Sequence, residues 1–396
     1  MGKIRDEFLQ LHWTRYPEMP RESLARGRVQ HLSVQHISLK QSPMAGAPVI
    51  SASEVLRDGD IVAVLPDQSV LLLAPNLSDR SHGTWAQHKI WQEFLGLVRD
   101  FFKNKSFQEV KTPTLVTCPG TEPSIEVFKT EFRLESKRRT YFLPTSPELN
   151  LKKLLAEGAE KIFEIAPVFR NSELTLRHRP EFQMLEWYRA YSGLDAIRDD
   201  ATQLISHLSE KLGCTAPDSV LSFSIAELFL QHLNFNLTPF TTAEELRTLA
   251  AKHGVDVSSA GCIDDYFYLI FMEKIEFRWP ESALVFVEKY PPYQAALARV
   301  DSEGWAERFE IYWRGYELAN AFHELNDPVL QRSRALEDLE KKKQSKKSEI
   351  SLDENFFKAL EFGLPPSGGI ALGLERLYMV LHNVNDIAGI NRIYGD

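Results

Sequence analysis

One segment constrains the fold of this chain more than any other. Between Glu181 and Tyr191, side chains alternate with the period-two pattern of a β-strand. The residues that share one face of this strand are Phe182, Met184, Glu186 and Tyr188. Burying an unpaired carboxylate is costly unless a cation or hydrogen-bond donors meet it. Glu186 therefore either faces solvent, as most glutamates do, or awaits a positive partner such as a ligand ammonium.

Strand and helix signals alternate around this segment. A helix is predicted to begin at Ser146-Pro147-Glu148, with a capping hydroxyl, proline at the first helical position and an acid in the first turn, and to end at Gly158. The other predicted elements are strands at 141–143, 162–169 and 310–322, a polar loop at 170–180, a mainly helical insertion at 195–275, a charged helix at 331–347, and a helix at 370–382 after a glycine-rich turn.

Residues 1–82 have a different pattern from the rest of the chain. They contain short β-type runs at 29–39, 60–65 and 69–74, and a hairpin is predicted around Pro66-Asp67-Gln68. A loop at 76–83 separates them from an apolar helical stripe formed by Ile90, Phe94, Leu95, Val98, Phe101 and Phe102. A length of 396 residues also favours two domains. We therefore expect a small β-rich domain at 1–82 and a larger domain at 83–396.

Composition excludes several classes of protein. Hydrophobic residues make up 43% and charged residues 26%, as in soluble globular proteins. No apolar run approaches the roughly 20 residues of a membrane span, and the charged segment Met1–Gln10 does not resemble a signal peptide, so we expect a cytoplasmic protein with no membrane partner. The three cysteines are widely spaced, which argues against a disulfide framework or a CxxC metal site.

The net charge of −9 argues against a broad nucleic-acid-binding face. The basic run Lys341–Lys347 is a local exception, and its ordinary interpretation is a solvated helix end or a mobile loop.

A cationic cluster lies on the loop before the strand at 181–191. Arg170 and Asn171 are followed by Arg177, His178 and Arg179. Guanidinium groups clamp phosphate oxygens in bidentate fashion and stabilise charge that builds during nucleotidyl transfer. By itself, the same cluster is also compatible with a solvated hairpin tip.

A pair of carboxylates, Glu317 and Glu324, lies seven residues apart on a predicted strand. Strict alternation puts them on opposite faces, so a shared role requires the strand to end or bulge between them. Two carboxylates together with phosphate oxygens would suit Mg²⁺. The alternative is a surface strand with unrelated acids.

A run of small residues, Ser367–Gly373, precedes Arg376. Small side chains let a ligand approach the backbone, and the arginine can then stack on a base or meet phosphate. The run does not have the glycine spacing of dinucleotide-binding or P-loop motifs.

In this order, the pieces resemble the motifs of class II aminoacyl-tRNA synthetases. Motif 1 is the helix with Pro113, motif 2 runs from Phe169 to Tyr188, and motif 3 ends at Arg376. The segments 145–148, 179–188 and 317–325 are similar to the lysine branch, and within it to the short paralogues that act as elongation factor P lysyltransferases. The resemblance covers about residues 84–390.

The resemblance implies a role for each matching residue. Arg170 and Arg376 would be the catalytic residues, with Arg170 on the ATP α-phosphate and the adenine between Phe182 and Arg376. The other residues implied in ATP binding are Asn171, Ser172, His178, Arg179, Glu317, Leu318 and Gly373. Glu317 and Glu324 would hold Mg²⁺. The residues implied in amino-acid binding are Ser146, Pro147, Glu148, Glu186, Tyr188, Asn320, Glu324 and Ala371.

Three positions matter for specificity or depart from the family pattern. Ala371 stands where lysyl-tRNA synthetases have glycine, a change associated with accepting β-lysine. Ser172 replaces the usual motif 2 glutamate, and Arg179 replaces an asparagine.

The expected fold is therefore an α+β class II catalytic domain, an antiparallel sheet flanked by helices, with a small β-rich N-terminal domain. The expected reaction is ATP-dependent adenylation of lysine or (R)-β-lysine, followed by transfer to a lysine of elongation factor P, by a homodimer that uses no tRNA. Residues 1–82 offer fewer strands than the five-stranded barrels that read anticodons. The alternatives are a minimal lysyl-tRNA synthetase and a catalytically silent regulatory paralogue.

Overall fold

The computed structural model describes residues 84–345, 347–387 and 390, and the backbone of four strands nearer the N-terminus. The chain divides into two compact units, Met1–Trp85 and Ala86–Asp396. In the first unit, β1 (Ala25–Leu32), β2 (Ile37–Lys40), β3 (Ile61–Val64) and β4 (Val70–Ala74) form an antiparallel sheet in the order β2-β1-β3-β4. The predicted hairpin is confirmed as β3–β4, whereas the predicted run at 29–39 is two strands. The predicted loop at 76–83 lies outside the described residues.

The second unit is built on an eight-stranded sheet with the order β10-β11-β12-β13-β14-β9-β8-β5. Its strands are β5 (Gln108–Glu109), β8 (Lys161–Phe169), β9 (Glu181–Ala190), β10 (Ser219–Ser224), β11 (Ala283–Tyr290), β12 (Ala306–Trp313), β13 (Tyr316–His323) and β14 (Ser367–Gly373); β6 (Lys129–Leu134) and β7 (Lys137–Phe142) form a separate hairpin. Every pairing from β11 to β8 is antiparallel, and only the edge strands β10 and β5 pair in parallel. The sheet thus confirms the expected antiparallel core.

Helices cover the sheet and complete an α+β domain. They are α1 (Thr84–Asn104), α2 (Glu148–Ala156), α3 (Leu194–Leu212), α4 (Ile225–Leu233), α5 (Ala243–His253), α6 (Ile263–Lys274), α7 (Pro328–Gln344), α8 (Glu354–Gly363) and α9 (Leu374–His382). The apolar stripe of α1 packs into the main core with α3 and α9, although its first predicted member, Ile90, is 42% exposed. No helix among the described residues has the length and apolar character needed to cross a membrane.

Two predicted elements were wrong. The glycine-rich run is the strand β14 and not a turn, because it pairs with β13 on one side and β9 on the other. A Cβ on Gly369 would lie 2.2 Å from both Glu324 Oε1 and Tyr188 Cε1, so these small residues make room for neighbouring side chains. The predicted strand at 310–322 is the hairpin β12–β13, which turns at Arg314 and Gly315 with positive φ.

The start of α2 also differs in detail. Pro147 precedes the first helical residue instead of occupying that position, and the backbone N–H of Glu148 donates to Ser146 Oγ over 3.0 Å. Ser146 is therefore not the N-cap that was predicted, since Pro147 holds that position without a side-chain cap hydrogen bond; the Ser146 hydroxyl instead donates to Glu186 Oε1, which holds it beside β9.

Candidate active site

A cavity of about 310 Å³ opens on the central strands of the large sheet. It brings together residues that are far apart in sequence, because motif 2 forms a hairpin next to β14 and β14 lies beside β13. The predicted site residues that line it are Ser146, Glu148, Arg170, His178, Arg179, Phe182, Glu317, Leu318, Asn320, Ala371, Gly373 and Arg376. The predicted site residues that are not part of its wall are Pro147, Asn171, Ser172, Glu186, Tyr188 and Glu324.

The motif 2 replacement Ser172 lies outside this wall. It is exposed, with a φ of 65°, and its N–H donates to Asn171 Oδ1 over 2.8 Å. The backbone N–H of Asn171 donates to Glu126 O over 2.9 Å. This hydrogen bond fixes the backbone just after the end of β8. In this structure Asn171 and Ser172 therefore shape the loop from which Arg170 projects.

One end of the cavity is cationic. Arg376 Nη1 donates to Glu317 O over 2.9 Å, and Nη2 lies 2.6 Å from His178 Nε2. Burial and then the charge of Arg376 lower the pKa of His178, so a neutral imidazole accepts this hydrogen bond. Arg170 lies over the Phe182 ring, 5.3 Å from its centroid, and its buried Nε has no hydrogen-bond partner. An unpaired buried donor is suited to an anionic ligand.

Behind the cavity wall lies a group of buried carboxylates. Glu186 is fully buried, Ser146 Oγ donates to its Oε1 over 2.6 Å, and the Tyr188 hydroxyl donates to its Oε2 over 3.1 Å. Burial, reinforced by the charge of Glu148, raises the pKa of Glu186 well above its usual value, and the two donors oppose this. The solvent-facing alternative for Glu186 is therefore wrong, and two hydroxyl groups meet its carboxylate.

Lys152 is a residue of this region that the sequence analysis missed. Its Nζ lies 2.6 Å from Glu148 Oε1 and 2.5 Å from Glu324 Oε2, and its side chain is 1% exposed. These two carboxylates raise the pKa of Lys152 despite burial, while burial raises the pKa of Glu324 to about 8. The four-residue spacing from Glu148 on a predicted helix was the available signal, since such residues face each other.

The basic run at 341–347 has a structural role that the sequence did not reveal. Lys342 is 2% exposed, and its ammonium donates to the carbonyls of Glu122 and Ile125. Lys347 donates to Ser124 O, and Lys341 pairs with Asp264 over 2.9 Å. The interpretation as a solvated helix end was therefore wrong for Lys342, because the run pins the loop at 119–126 that lines the cavity.

The proposed Mg²⁺ ligands differ in their surroundings. Glu317 lines the cavity beside Arg376, whose Nη1 lies 3.6 Å from Glu317 Oε2, and so could meet a cation carried by phosphate oxygens. The bulge expected between the two acids exists, since the β12–β13 register shifts between the pairs Ile311–Ala319 and Tyr312–Glu317. Glu324 Oε2, in contrast, faces Lys152. Within the described part of the chain, no group of three or more His, Cys, Asp or Glu side chains is arranged for a metal ion.

Comparison with known proteins extends these observations. The model of the family described as tRNA synthetases class II (D, K and N) matches residues 77–391. Three relatives are each named "Elongation factor P--(R)-beta-lysine ligase". The Haemophilus ducreyi protein is 36% identical over 295 residues, which cover 73% of this chain and 88% of that protein. The Haemophilus influenzae protein is 35% identical over 303 residues (74% and 91%), and the Edwardsiella ictaluri protein is 35% identical over 295 residues (72% and 88%).

Proposed function

This chain belongs to the class II tRNA synthetase family (D, K and N), and on that basis we propose that it is an ATP-dependent ligase for elongation factor P. It activates lysine or (R)-β-lysine as the adenylate and transfers the aminoacyl group to a lysine side chain of that protein. One observation carries the proposal: a single cavity has arginines for a nucleotide at one end and glutamates for an ammonium compound at the other.

The carboxylate end selects a substrate with two ammonium groups. Glu148 lines the cavity, and Glu186 and Glu324 lie buried behind it, with Lys152 offsetting part of their charge. Burial raises the pKa values of Glu186 and Glu324, and a cationic ligand beside them would favour their ionised forms, so these carboxyl groups suit an ammonium ligand. Lysine and β-lysine each carry two ammonium groups, so they suit this end of the cavity better than neutral amino acids do. Ala371 lies in the cavity wall, and its methyl group distinguishes lysine from β-lysine by limiting the space available to the substrate.

The cationic end positions ATP for attack by the substrate carboxylate. The carboxylate oxygen attacks the α-phosphorus in line, and pyrophosphate leaves with the electron pair of the broken P–O bond. An ionised carboxylate needs no base, so the protein contributes mainly orientation and charge stabilisation. Arg170 holds the α-phosphate, while Phe182 and Arg376 enclose the adenine. Mg²⁺ would supply further neutralisation of the phosphate oxygens, with Glu317 in the cavity wall as its first ligand and Glu324, which faces Lys152, as the second carboxylate of the proposed pair.

Two further parts of the proposal concern organisation. The catalytic domain at 83–396 forms a homodimer through its motif 1 region, and the β-rich domain at 1–82 is dispensable for adenylate formation. Aminoacyl transfer to a protein rather than to tRNA fits the net charge of −9, since long nucleic-acid contacts require basic surfaces.

The test uses purified full-length enzyme with ATP and radiolabelled lysine or (R)-β-lysine. Elongation factor P and unfractionated tRNA are supplied in separate reactions, and amino-acid-dependent pyrophosphate exchange is measured in parallel. We expect exchange and rapid labelling of elongation factor P. Preferential labelling of tRNA would favour the minimal lysyl-tRNA synthetase, and absence of exchange would favour the silent paralogue.

A further inference from the structure

Apart from Glu375, whose carboxylate accepts a hydrogen bond from the backbone N–H of Gln183, two carboxylates in the cavity wall are assigned no role by the family resemblance. Glu122 lies on the loop at 119–126, and Asp338 lies on α7, so two separate elements bring them to one cavity. The nearby lysines are engaged elsewhere: Lys341 pairs with Asp264, and Lys342 donates to the backbone carbonyl of Glu122. Among the described residues, no cationic side chain forms an ion pair with either carboxylate.

The fold holds Glu122 in a fixed place. The φ of Gly120 is +137°, a conformation that favours glycine, and a Cβ there would lie 2.4 Å from Glu122 Oε2 and 2.7 Å from Thr145 Oγ1. Thr145 Oγ1 donates to Pro119 O over 2.8 Å at the start of the loop. Lys342, buried, donates to Glu122 O over 3.1 Å farther along it. Such bracing is characteristic of side chains that must meet a ligand accurately.

The location of these two residues differs from that of the glutamates proposed to bind the amino-acid substrate. Glu122 and Asp338 are each partly exposed, whereas Glu186 and Glu324 are buried behind the wall. The charged and titratable groups that face Glu122 are Cys118 on its own loop, Glu148 on α2, Arg170, and Asp338 and Lys342 on α7. Glu122 therefore lies in the cavity wall, close enough to Glu148 and Arg170 for their charges to act on it.

We propose that Glu122, with Asp338 facing it, binds the ammonium group of the acceptor lysine and that Glu122 accepts its proton during aminoacyl transfer. The inference rests on the proposed function, because the acceptor of that reaction is an amine that is protonated at neutral pH. A pair of carboxylates in the cavity wall attracts the ammonium, and a partly desolvated carboxylate is a stronger base than one in water. Burial and the charge of Glu148 raise the pKa of Glu122, which favours this role.

The proton and electron balance of the step is simple. One N–H proton passes from the acceptor ammonium to the Glu122 carboxylate, which frees the nitrogen lone pair. The nitrogen attacks the carbonyl carbon of the aminoacyl adenylate, and the bond from that carbon to the phosphate oxygen breaks. AMP leaves with the electron pair, and the second proton passes to solvent as the amide forms.

The experiment separates transfer from activation in the full-length enzyme. Pyrophosphate exchange reports adenylation, and hydroxylamine, which is neutral near pH 7, reports adenylate capture by an amine that needs no deprotonation. In Glu122→Gln, we expect both to stay within about twofold of wild type, while labelling of elongation factor P falls by about tenfold or more. Glu126→Gln is the matched control, because Glu126 is on the same loop but its carboxylate contacts Ser348 outside the cavity wall.

A pH series and a second variant complete the test. The transfer defect of Glu122→Gln should shrink as the pH rises, because the acceptor amine then deprotonates in solution. Asp338→Asn should raise the KM for elongation factor P without changing exchange, whereas its exposed neighbour Glu337→Gln should change neither. Unchanged transfer in both cavity variants, or loss of exchange with a raised amino-acid KM, overturns the inference. If wild type exchanges pyrophosphate but does not label elongation factor P, the proposed acceptor is wrong instead.

Discussion

The ammonium nitrogen of Lys152 lies 2.5 Å from Oε2 of Glu324, and both side chains are 1% exposed. A second carboxylate, Glu148, lies 2.6 Å from the same nitrogen. A pocket proposed to bind ammonium compounds thus has a lysine ammonium buried beside it. Its position outside the cavity wall indicates that it orients the glutamates and limits their mutual repulsion, since buried like charges are otherwise strongly unfavourable.

Lys152→Met should destabilise the enzyme by about 3 to 5 kcal/mol, because it leaves the buried Glu324, and Glu148 in the cavity wall, without their cation. Chemical denaturation at neutral pH measures the change. Lys153→Met is the control, because the side chain of Lys153 is 22% exposed where it pairs with Asp353, so water can solvate the remaining carboxylate and the loss of stability should be smaller. Equal effects of the two substitutions would contradict the role assigned to Lys152.

Arg170→Ala and Arg376→Ala should each reduce pyrophosphate exchange by about 10² to 10³-fold, because each removes a donor aimed at ATP in a partly desolvated cavity. Initial exchange rates at saturating amino acid provide the measurement. Arg332→Ala, which removes an arginine whose partner Glu354 is exposed, should leave the rate unchanged. Near-normal exchange in both cavity variants would show that ATP binds elsewhere.

Glu186→Gln should raise the amino-acid KM while the protein still folds, because the amide keeps the volume and hydrogen-bonding capacity but loses the charge. The pH dependence of stability provides a second readout. The folded-state pKa of Glu186 is above its ordinary value of 4.5, so the folded protein holds this proton more tightly than the unfolded chain. The ionised glutamate therefore lowers stability progressively as the pH rises above that value.

The Tm advantage of Glu186→Gln over wild type should consequently be larger at pH 8 than at pH 5. Thermal unfolding at both pH values tests this difference. A variant whose Tm falls sharply at both values would indicate that the carboxyl group has a structural role in the fold.

Gly369→Ala should destabilise the protein by about 3 kcal/mol, because the new methyl group would overlap Glu324 Oε1 and Tyr188 Cε1 at 2.2 Å. Gly96→Ala is the matched substitution, since a Cβ there meets nothing within 4 Å and the residue lies inside helix α1. It should stabilise the protein by about 1 kcal/mol. Denaturation midpoints of the two variants that shift in the same direction would refute the packing argument.

Ala371→Gly should shift the preference towards lysine and away from (R)-β-lysine, because the loss of the methyl group enlarges the cavity at that point. The ratio of kcat/KM for the two amino acids in pyrophosphate exchange is the quantity to compare. An unchanged ratio would remove Ala371 from the residues that set specificity.

The sequence by itself determined the core of the catalytic unit and most of its site. Alternation along Glu181–Tyr191 predicted β9 and placed Glu186 on the same face as Phe182 and Met184, because side-chain direction in a strand follows directly from sequence position. The order of motifs likewise identified Arg170 and Arg376, which the structure brings to one cavity. Local periodicity and motif order are properties that a single chain carries without knowledge of its neighbours.

Only the tertiary structure decided whether the polar residues were exposed or buried, and which residues paired. The glycine-rich run looked like a turn, yet it is the strand β14 because β9 and β13 supply hydrogen bonds on both sides. Lys342 looked solvated, yet it is buried against carbonyls some 220 positions earlier in the chain. The counter-charge supplied by Lys152 to Glu324 is equally non-local. Such outcomes depend on long-range contacts that compete with local propensity, and short segments of sequence do not record those contacts.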